Sequence, residues 1–184
     1  LLLMNVQNEI YDIVDDNDQV IGQASRKHIH ENQLLHRSTH VLVFNSQRML
    51  FLQKRALCKD ESPGLWDTSS SGHVDAGESY DACAHRELFE ELGLRAELSV
   101  PFKIAACHET HGEHIQVYTC FTDDAVQINL DEISEGAFFN LHLIKKEVSM
   151  NPDSFTSSFK KIFANLVVSD THASMNEMTT DKGR

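Results

Sequence analysis

The stretch from Ser79 to Gly93 constrains the fold more than any other part of the chain. Ser79 suits a helix N-cap, Asp81 suits the positive end of a helix, and Gly93 suits its terminator. Advancing about 100° per residue between them, Glu87, Glu90 and Glu91 share one face and Leu88, Phe89 and Leu92 fall opposite. The sequence therefore predicts a helix over about 80–92 that buries its apolar side and turns three carboxylates outward. Clustered carboxylates repel one another, and hard divalent cations with oxygen ligands, Mg2+ above all, relieve that repulsion. A solvated acidic helix face is the alternative that the carboxylates alone leave open. Arg86 is spaced to reach Glu90, and also Glu78 before the helix.

The rest of the chain reads as strands mixed with a few helices, without regular βαβ alternation, which implies an α+β domain. Residues 9–14 and 19–23 flank Asp15-Asp16-Asn17-Asp18 and predict a hairpin with an Asx-type turn. A calcium loop starting at Asp15 would put Val20 where glycine is needed, so that reading fails on spacing. Residues 25–33 suit a short helix, 40–44 and 49–53 two strands, and 56–65, with Pro63-Gly64, a loop. Further strands are expected near 98–107, 115–122 and 135–140, and a last amphipathic helix over 152–167 carrying Phe155, Phe159, Ile162, Phe163 and Leu166. One domain over 1–168, with its N-terminal hairpin at about 9–24, is expected to be followed by a flexible tail at 169–184. Leu1-Leu3 lack the basic flank of a signal peptide, and Met4 is a candidate start.

Acidic residues outnumber basic ones 28 to 16, a formal charge of −12, which argues against a nucleic-acid polymer as partner. No apolar run is long enough for a membrane span. Cys58, Cys83, Cys107 and Cys120 form no CxxC pair and suggest no disulfide framework, so a reducing cytoplasm is the expected home.

Extended to both sides, the helix belongs to a pattern: Gly72, Glu78, Arg86, Glu87, Leu88, Glu90, Glu91, Gly93 and Leu94, or G-x5-E-x7-R-E-U-x-E-E-x-G-U with U aliphatic. This matches the Nudix box at every specified position, and the chain resembles the Nudix superfamily. The resemblance implies an α/β/α sandwich around a mixed sheet, with the box as a loop-helix-loop, and a Mg2+-dependent (or Mn2+-dependent) pyrophosphohydrolase acting on a small-molecule diphosphate. It implies Glu87, Glu90, Glu91 and the backbone carbonyl beside Gly72 as metal ligands, and Glu78 with Arg86 as the ion pair that fixes the loop. The general base varies between members; Glu87 and Glu90, from within the box, and Glu113, from outside it, are the catalytic carboxylates it points to. Homodimers are common in the superfamily, so that state is left open.

Short matches spread over about residues 10–165 are also similar to isopentenyl-diphosphate isomerase: His36, Arg55-Ala56-Leu57, Pro63-Gly64-Leu65-Trp66, Ser71-Gly72-His73, Glu113 and Ile128-Asn129. That family's metal site uses histidines and glutamates. His36 and His73 match two of them, His111 replaces a glutamate, and His28 and His30 each miss the expected register by one. Ser71 stands where the isomerase has its proton-transferring cysteine, and serine is a poor substitute for a thiol in that role. The intact box and Ser71 together favour hydrolysis over isomerisation; a catalytically silent ligand-binding module is the alternative from another class. Arg55, His73 and Ser71 are candidate substrate contacts. The run His108–His114 reads as a polar hairpin loop, with closure bringing Glu113 to the metals as the functional alternative and a second metal site on the loop as another. Cys83 and Trp66 read as packing residues.

Overall fold

The computed structural model describes residues 9–180, with side chains through Val168; the expected features at Leu1–Met4 and at 181–184 lie outside the described residues. Its elements in chain order are β1 (Ile10–Val14), β2 (Val20–Ser25), α1 (Arg26–Glu31), β3 (His36–Phe44), β4 (Leu50–Arg55), β5 (Trp66–Asp67) and β6 (Ser70–His73). Then follow α2 (Tyr80–Leu92), β7 (Ser99–Ile104), β8 (Glu113–Phe121), β9 (Ile133–Phe139), α3 (Leu141–Met150), a 3-10 turn at Pro152–Ser154, and α4 (Ser157–Thr180).

β3 organises the sheet because its residues alternate between two apolar faces. Leu42 and Phe44 join Leu50, Leu52, Ile115 and Val117 under α4, whose Phe159, Ile162 and Phe163 fill that side. Val41 and Val43 join Phe51, Tyr118 and Cys120 under α2, which contributes Ala84, Leu88 and Leu92. Helices thus cover both faces of a mixed sheet, the α+β sandwich expected. β3 runs parallel to β8 from His36↔Glu113 to Phe44↔Phe121. On its other edge β3 changes partner: Ser38–Val41 pair with β6, and Phe44 pairs with Leu50 of β4. β4 continues into antiparallel pairing with β9 and a short pairing with β5. The side chains of Gln53, Asp67, Thr68 and Ser69 are buried, and Gln53 Nε2 donates to the Ser69 carbonyl.

The N-terminal hairpin forms as expected, with Asp15 Oδ1 accepting from the N–H groups of Asn17 and Gln19 at 2.9 Å each. It docks on the loop before α2, where Gly77 N–H donates to Asp12 at 3.0 Å and Tyr11 bridges Asp75. Three details differ from expectation. The last helix starts at Ser157, because residues 152–154 form a separate 3-10 turn, and its backbone continues to Thr180. The helix α3 was not expected; it starts at the Asn140 cap, whose side chain accepts from His142 N–H, and it fully buries Ile144 with Leu141 and Val148 partly buried against the same core. Phe89, expected on the buried side of α2, is 45% exposed and lies under the Arg95 guanidinium, 4.1 Å from the ring centre. Among the described residues no helix is long and apolar enough to cross a membrane.

Candidate functional site

α2 starts and stops as its sequence requires. Ser79 Oγ accepts from Ala82 N–H, and Gly93 takes the left-handed conformation (φ 67°) that closes the last turn. Leu88 and Leu92 are fully buried, which fixes the rotation of the helix and so the direction of its carboxylates. Arg86 is the hub of the box. Its Nε donates to Glu78 Oε1 at 3.0 Å, one Nη to Glu78 Oε2 at 2.9 Å, and the other to Glu87 Oε1 at 2.6 Å and Glu90 Oε2 at 3.3 Å. The same guanidinium reaches the His73 carbonyl at 3.2 Å, fastening the helix to β6.

The three carboxylates sit in different surroundings. Glu90 is open to solvent. Glu91 is buried, and its Oε2 accepts from Ser71 N–H at 2.9 Å and from Gln53 Nε2 at 3.0 Å. Glu87 lies against Gly72: a Cβ on that glycine would stand 2.5 Å from Glu87 Cγ and closer still to its carboxyl group, so only glycine leaves the carboxylate its place. Burial and the charge of Glu91 push the Glu87 carboxyl well above the ordinary range. Burial pushes Glu91 up as well, against the Ser71 hydrogen bond and the charge of Lys59. A cation set between these oxygens would remove that cost, and an all-oxygen donor set suits Mg2+ or Mn2+.

On the opposite side of Gly72 a second cluster forms. His36 and Glu113 are partners at the start of the β3–β8 ladder, and Ser38 and His73 are partners in the β3–β6 ladder. The strand pairing therefore sets His36, His73 and Glu113 side by side. His73 Nε2 lies 3.3 Å from Glu113 Oε1, and His36 Nε2 lies 3.8 Å from the same oxygen. His30, from α1, completes a group in which one ring nitrogen each of His30, His36 and His73 lies within 4.8 Å of the others. Tyr11 stacks on His73 at 4.9 Å between ring centres. Burial and the charge of His73 lower His36 to about 4, so its imidazole is neutral at neutral pH. Burial alone would raise Glu113, but the hydrogen bond and charge of His73 and the charge of His36 hold it far below the carboxylate range, fully ionised. The Nε2 atoms of His30 and His36 are buried without a hydrogen-bond partner. Three imidazoles and a carboxylate fit Zn2+ or another first-row metal by donor chemistry.

Both clusters open into one cleft of about 1120 Å3. Ser71 and Arg55 line it too. Arg55 is already engaged, by Asp67 at 3.3 Å and the Glu61 carbonyl at 3.0 Å. Cys83 is buried against Thr39 Oγ1, and Trp66 packs edge-on against Phe139, both packing residues as expected. The loop before β8 is a tight turn, and only Glu113 from the run 108–114 joins a cluster. His111 instead meets Ser157 Oγ at 3.0 Å, and His114 is turned to the Asp15 carbonyl. The expected register counted His30 out by one residue. Chain counting fails there because the turn at Asn32–Gln33, with Gln33 at φ 52°, swings α1 back over the start of β3. Sequence reading also missed Tyr11, Lys59 and Glu61, which line the cleft, and Gln53, which donates to Glu91.

Comparison with known proteins agrees with this geometry. The NUDIX domain family model matches residues 34–159. An isopentenyl-diphosphate Delta-isomerase of Photorhabdus laumondii is 36% identical over 168 residues, covering 89% of this chain and 95% of that protein. An uncharacterized Nudix hydrolase of Pseudomonas aeruginosa is 35% identical over 140 residues, covering 76% and 83%. A crystal structure of a Deinococcus radiodurans protein superposes with a TM-score of 0.76 at 22% identity, covering 85% of this chain and 98% of that one. With a complete box on a capped helix, its arginine hub and a family match over most of the sheet, this chain is a member of the Nudix family.

Proposed function

We propose that the chain is a divalent-metal-dependent pyrophosphohydrolase that cleaves the diphosphate bond of a small organic diphosphate. One observation carries the reading: Glu78, Glu87 and Glu90 share a single arginine beside the cleft, while burial raises the carboxyls of Glu87 and Glu91, with the charge of Glu91 adding to the rise of Glu87. Bound there, Mg2+ or Mn2+ would supply charge neutralisation for the diphosphate oxygens and the leaving group. Glu87, Glu90 and Glu91 would hold it, with the backbone at Gly72 close by. Arg86 and Glu78 keep the carboxylates in register, and Gln53 with Ser71 N–H fixes Glu91. Glu87 and Glu113 are the carboxylates offered to take a proton from the attacking water. Arg55, with Asp67 orienting it, presents guanidinium N–H groups to a phosphate oxygen.

A second reading, isomerisation of an allylic or homoallylic diphosphate, is favoured by the histidine cluster and by the isomerase-named relatives. Ser71, in place of a thiol, weighs against it. The test is turnover on a panel of nucleoside di- and triphosphates, nucleotide sugars, dinucleotides, thiamine diphosphate, coenzyme A and isopentenyl diphosphate, with Glu90→Gln as the blank. Metal-dependent cleavage of one class, lowered more than tenfold in the variant, is expected. Tight binding without cleavage of any member overturns the hydrolase in favour of a binding module. Alkene isomerisation without phosphate release, raised by Ser71→Cys, overturns it in favour of the isomerase.

A further inference from the structure

We propose that Glu61 is the positioning residue of the histidine cluster: its carboxylate holds His30 in the tautomer that leaves Nε2 bare and turned towards His36 and His73. The inference rests on reading the cluster as a cation site. An imidazole ligates through a nitrogen that carries no proton, and the hydrogen bond at its other nitrogen decides which one that is. His36 has this arrangement from the backbone, its Nδ1 lying 3.0 Å from the Leu34 carbonyl, so Nδ1–H donates and Nε2 is left bare. For His30 the same place is taken by Glu61, whose Oε1 lies 2.6 Å from Nδ1. The remaining nitrogens, Nε2 of each ring, are the two buried ones without a partner. Burying an acceptor unsatisfied is costly, and a ligand at the shared point removes that cost.

Glu61 is itself held. It stands on the loop between β4 and β5, with its backbone carbonyl accepting from Arg55 Nε at 3.0 Å. Its carboxylate is 3.5 Å from the buried guanidinium of Arg26, which Asp60 also grips at 2.6 Å. With the Arg26 guanidinium on one side and His30 Nδ1 on the other, the Glu61 carboxylate is held as the acceptor for Nδ1–H. The arrangement is a carboxylate–imidazole–metal relay in which the carboxylate comes from a loop, not from the sheet that carries the other ligands.

The test uses the full chain and two readouts that need no turnover. Affinity for Zn2+ and for Mn2+ alone is measured by competition with a chromophoric chelator for wild type, Glu61→Ala, Glu61→Gln and Asp60→Asn. Imidazole nitrogen shifts by long-range proton–nitrogen NMR then report the His30 tautomer in the metal-free protein. Glu61→Ala is expected to weaken binding by roughly 10- to 100-fold and to lose the single tautomer. Glu61→Gln, whose side-chain oxygen still accepts Nδ1–H, is expected to recover most of both. Asp60→Asn, which loosens the loop from Arg26 but leaves the His30–Glu61 bond, is expected to match wild type. Glu61→Ala binding and tautomer equal to wild type overturn the proposal while leaving the cluster a metal site. A loss in Asp60→Asn as large as in Glu61→Ala overturns it in favour of simple loop docking. Wild type that takes up neither ion overturns the cation reading and the Glu61 role with it.

Discussion

Gly72→Ala separates the stability of this fold from its capacity to bind a cation. Residue 72 has no left-handed backbone requirement, so alanine is tolerated by the chain itself, and restricting the unfolded state contributes about 0.4–1 kcal/mol in its favour. The new methyl would stand 2.5 Å from Glu87 Cγ and closer to the carboxyl, so Glu87 must leave. Crowding of a filled interior costs about 1–3 kcal/mol, and the low end applies because the obstacle is a flexible side chain. Leaving also breaks the 2.6 Å Arg86–Glu87 pair, but it frees Glu87 from burial beside Glu91, which offsets that loss. These terms nearly cancel, and the metal-free variant should melt within a few degrees of wild type. Mg2+ should behave otherwise. At a hundredfold excess over Kd a cation bound only to the folded state stabilises by about 2.7 kcal/mol; with one carboxylate displaced, affinity should fall at least tenfold, and at the same Mg2+ concentration that stabilisation should fall by about half. The assay is thermal melting with and without Mg2+. A variant that gains as much from Mg2+ as wild type would refute the assignment of Glu87 as a ligand and the role of Gly72 as its clearance.

Further perturbations test the surroundings of the same helix. The raised Glu87 and Glu91 carboxyls bind protons more tightly in the folded than in the unfolded chain, so metal-free stability should fall as pH rises from the ordinary carboxylate value of 4.5 towards neutrality; Glu91→Gln should flatten that slope, and equal slopes would contradict the assignment. Gln53→Leu strips one donor from the buried Glu91 oxygen and leaves the Ser69 carbonyl short of a partner, and should cost about 1–3 kcal/mol in urea denaturation. Leu88→Ala should cost about 2–5 kcal/mol and Phe89→Ala, at an exposed position over which Arg95 lies, under about 1 kcal/mol; comparable losses would mean that α2 is rotated from the orientation seen.

The box was readable because its determinants are local. Ser79, Gly93 and the spacing of Leu88 and Leu92 fix one helix, and a helix fixes its own faces. The histidine cluster was only half readable because its members meet through strand pairing. Nothing near Glu113 in the chain says that it faces His36; the parallel ladder does. His30 was missed by counting, which measures neither the turn at Gln33 nor the reach of a side chain from a last helical turn. Phe89 was misplaced because a 100° rule assigns faces but not their width: the strip that α2 lays on the sheet ends at Leu88, Leu92 and Ala84. The helix α3 escaped because it is short and fully buries only Ile144, with Leu141 and Val148 partly covered beside it.

The parallel pairing of β3 with β8 also bears on the order in which the molecule is made. Parallel neighbours need a long crossover, and here it contains β4, β5, β6, α2 and β7. Contacts between residues far apart in the chain form slowly, whereas a capped helix forms from neighbours. The acidic wall of the cleft is therefore a property of one segment, available as soon as α2 has a surface to lie on. The imidazoles of the histidine wall come from α1, β3 and β6, and Glu113 joins them only once the crossover to β8 has closed. A chain truncated before β8 would keep the acidic helix and the three imidazoles but lack Glu113, and an ion that asks for that carboxylate would recognise the finished sheet alone.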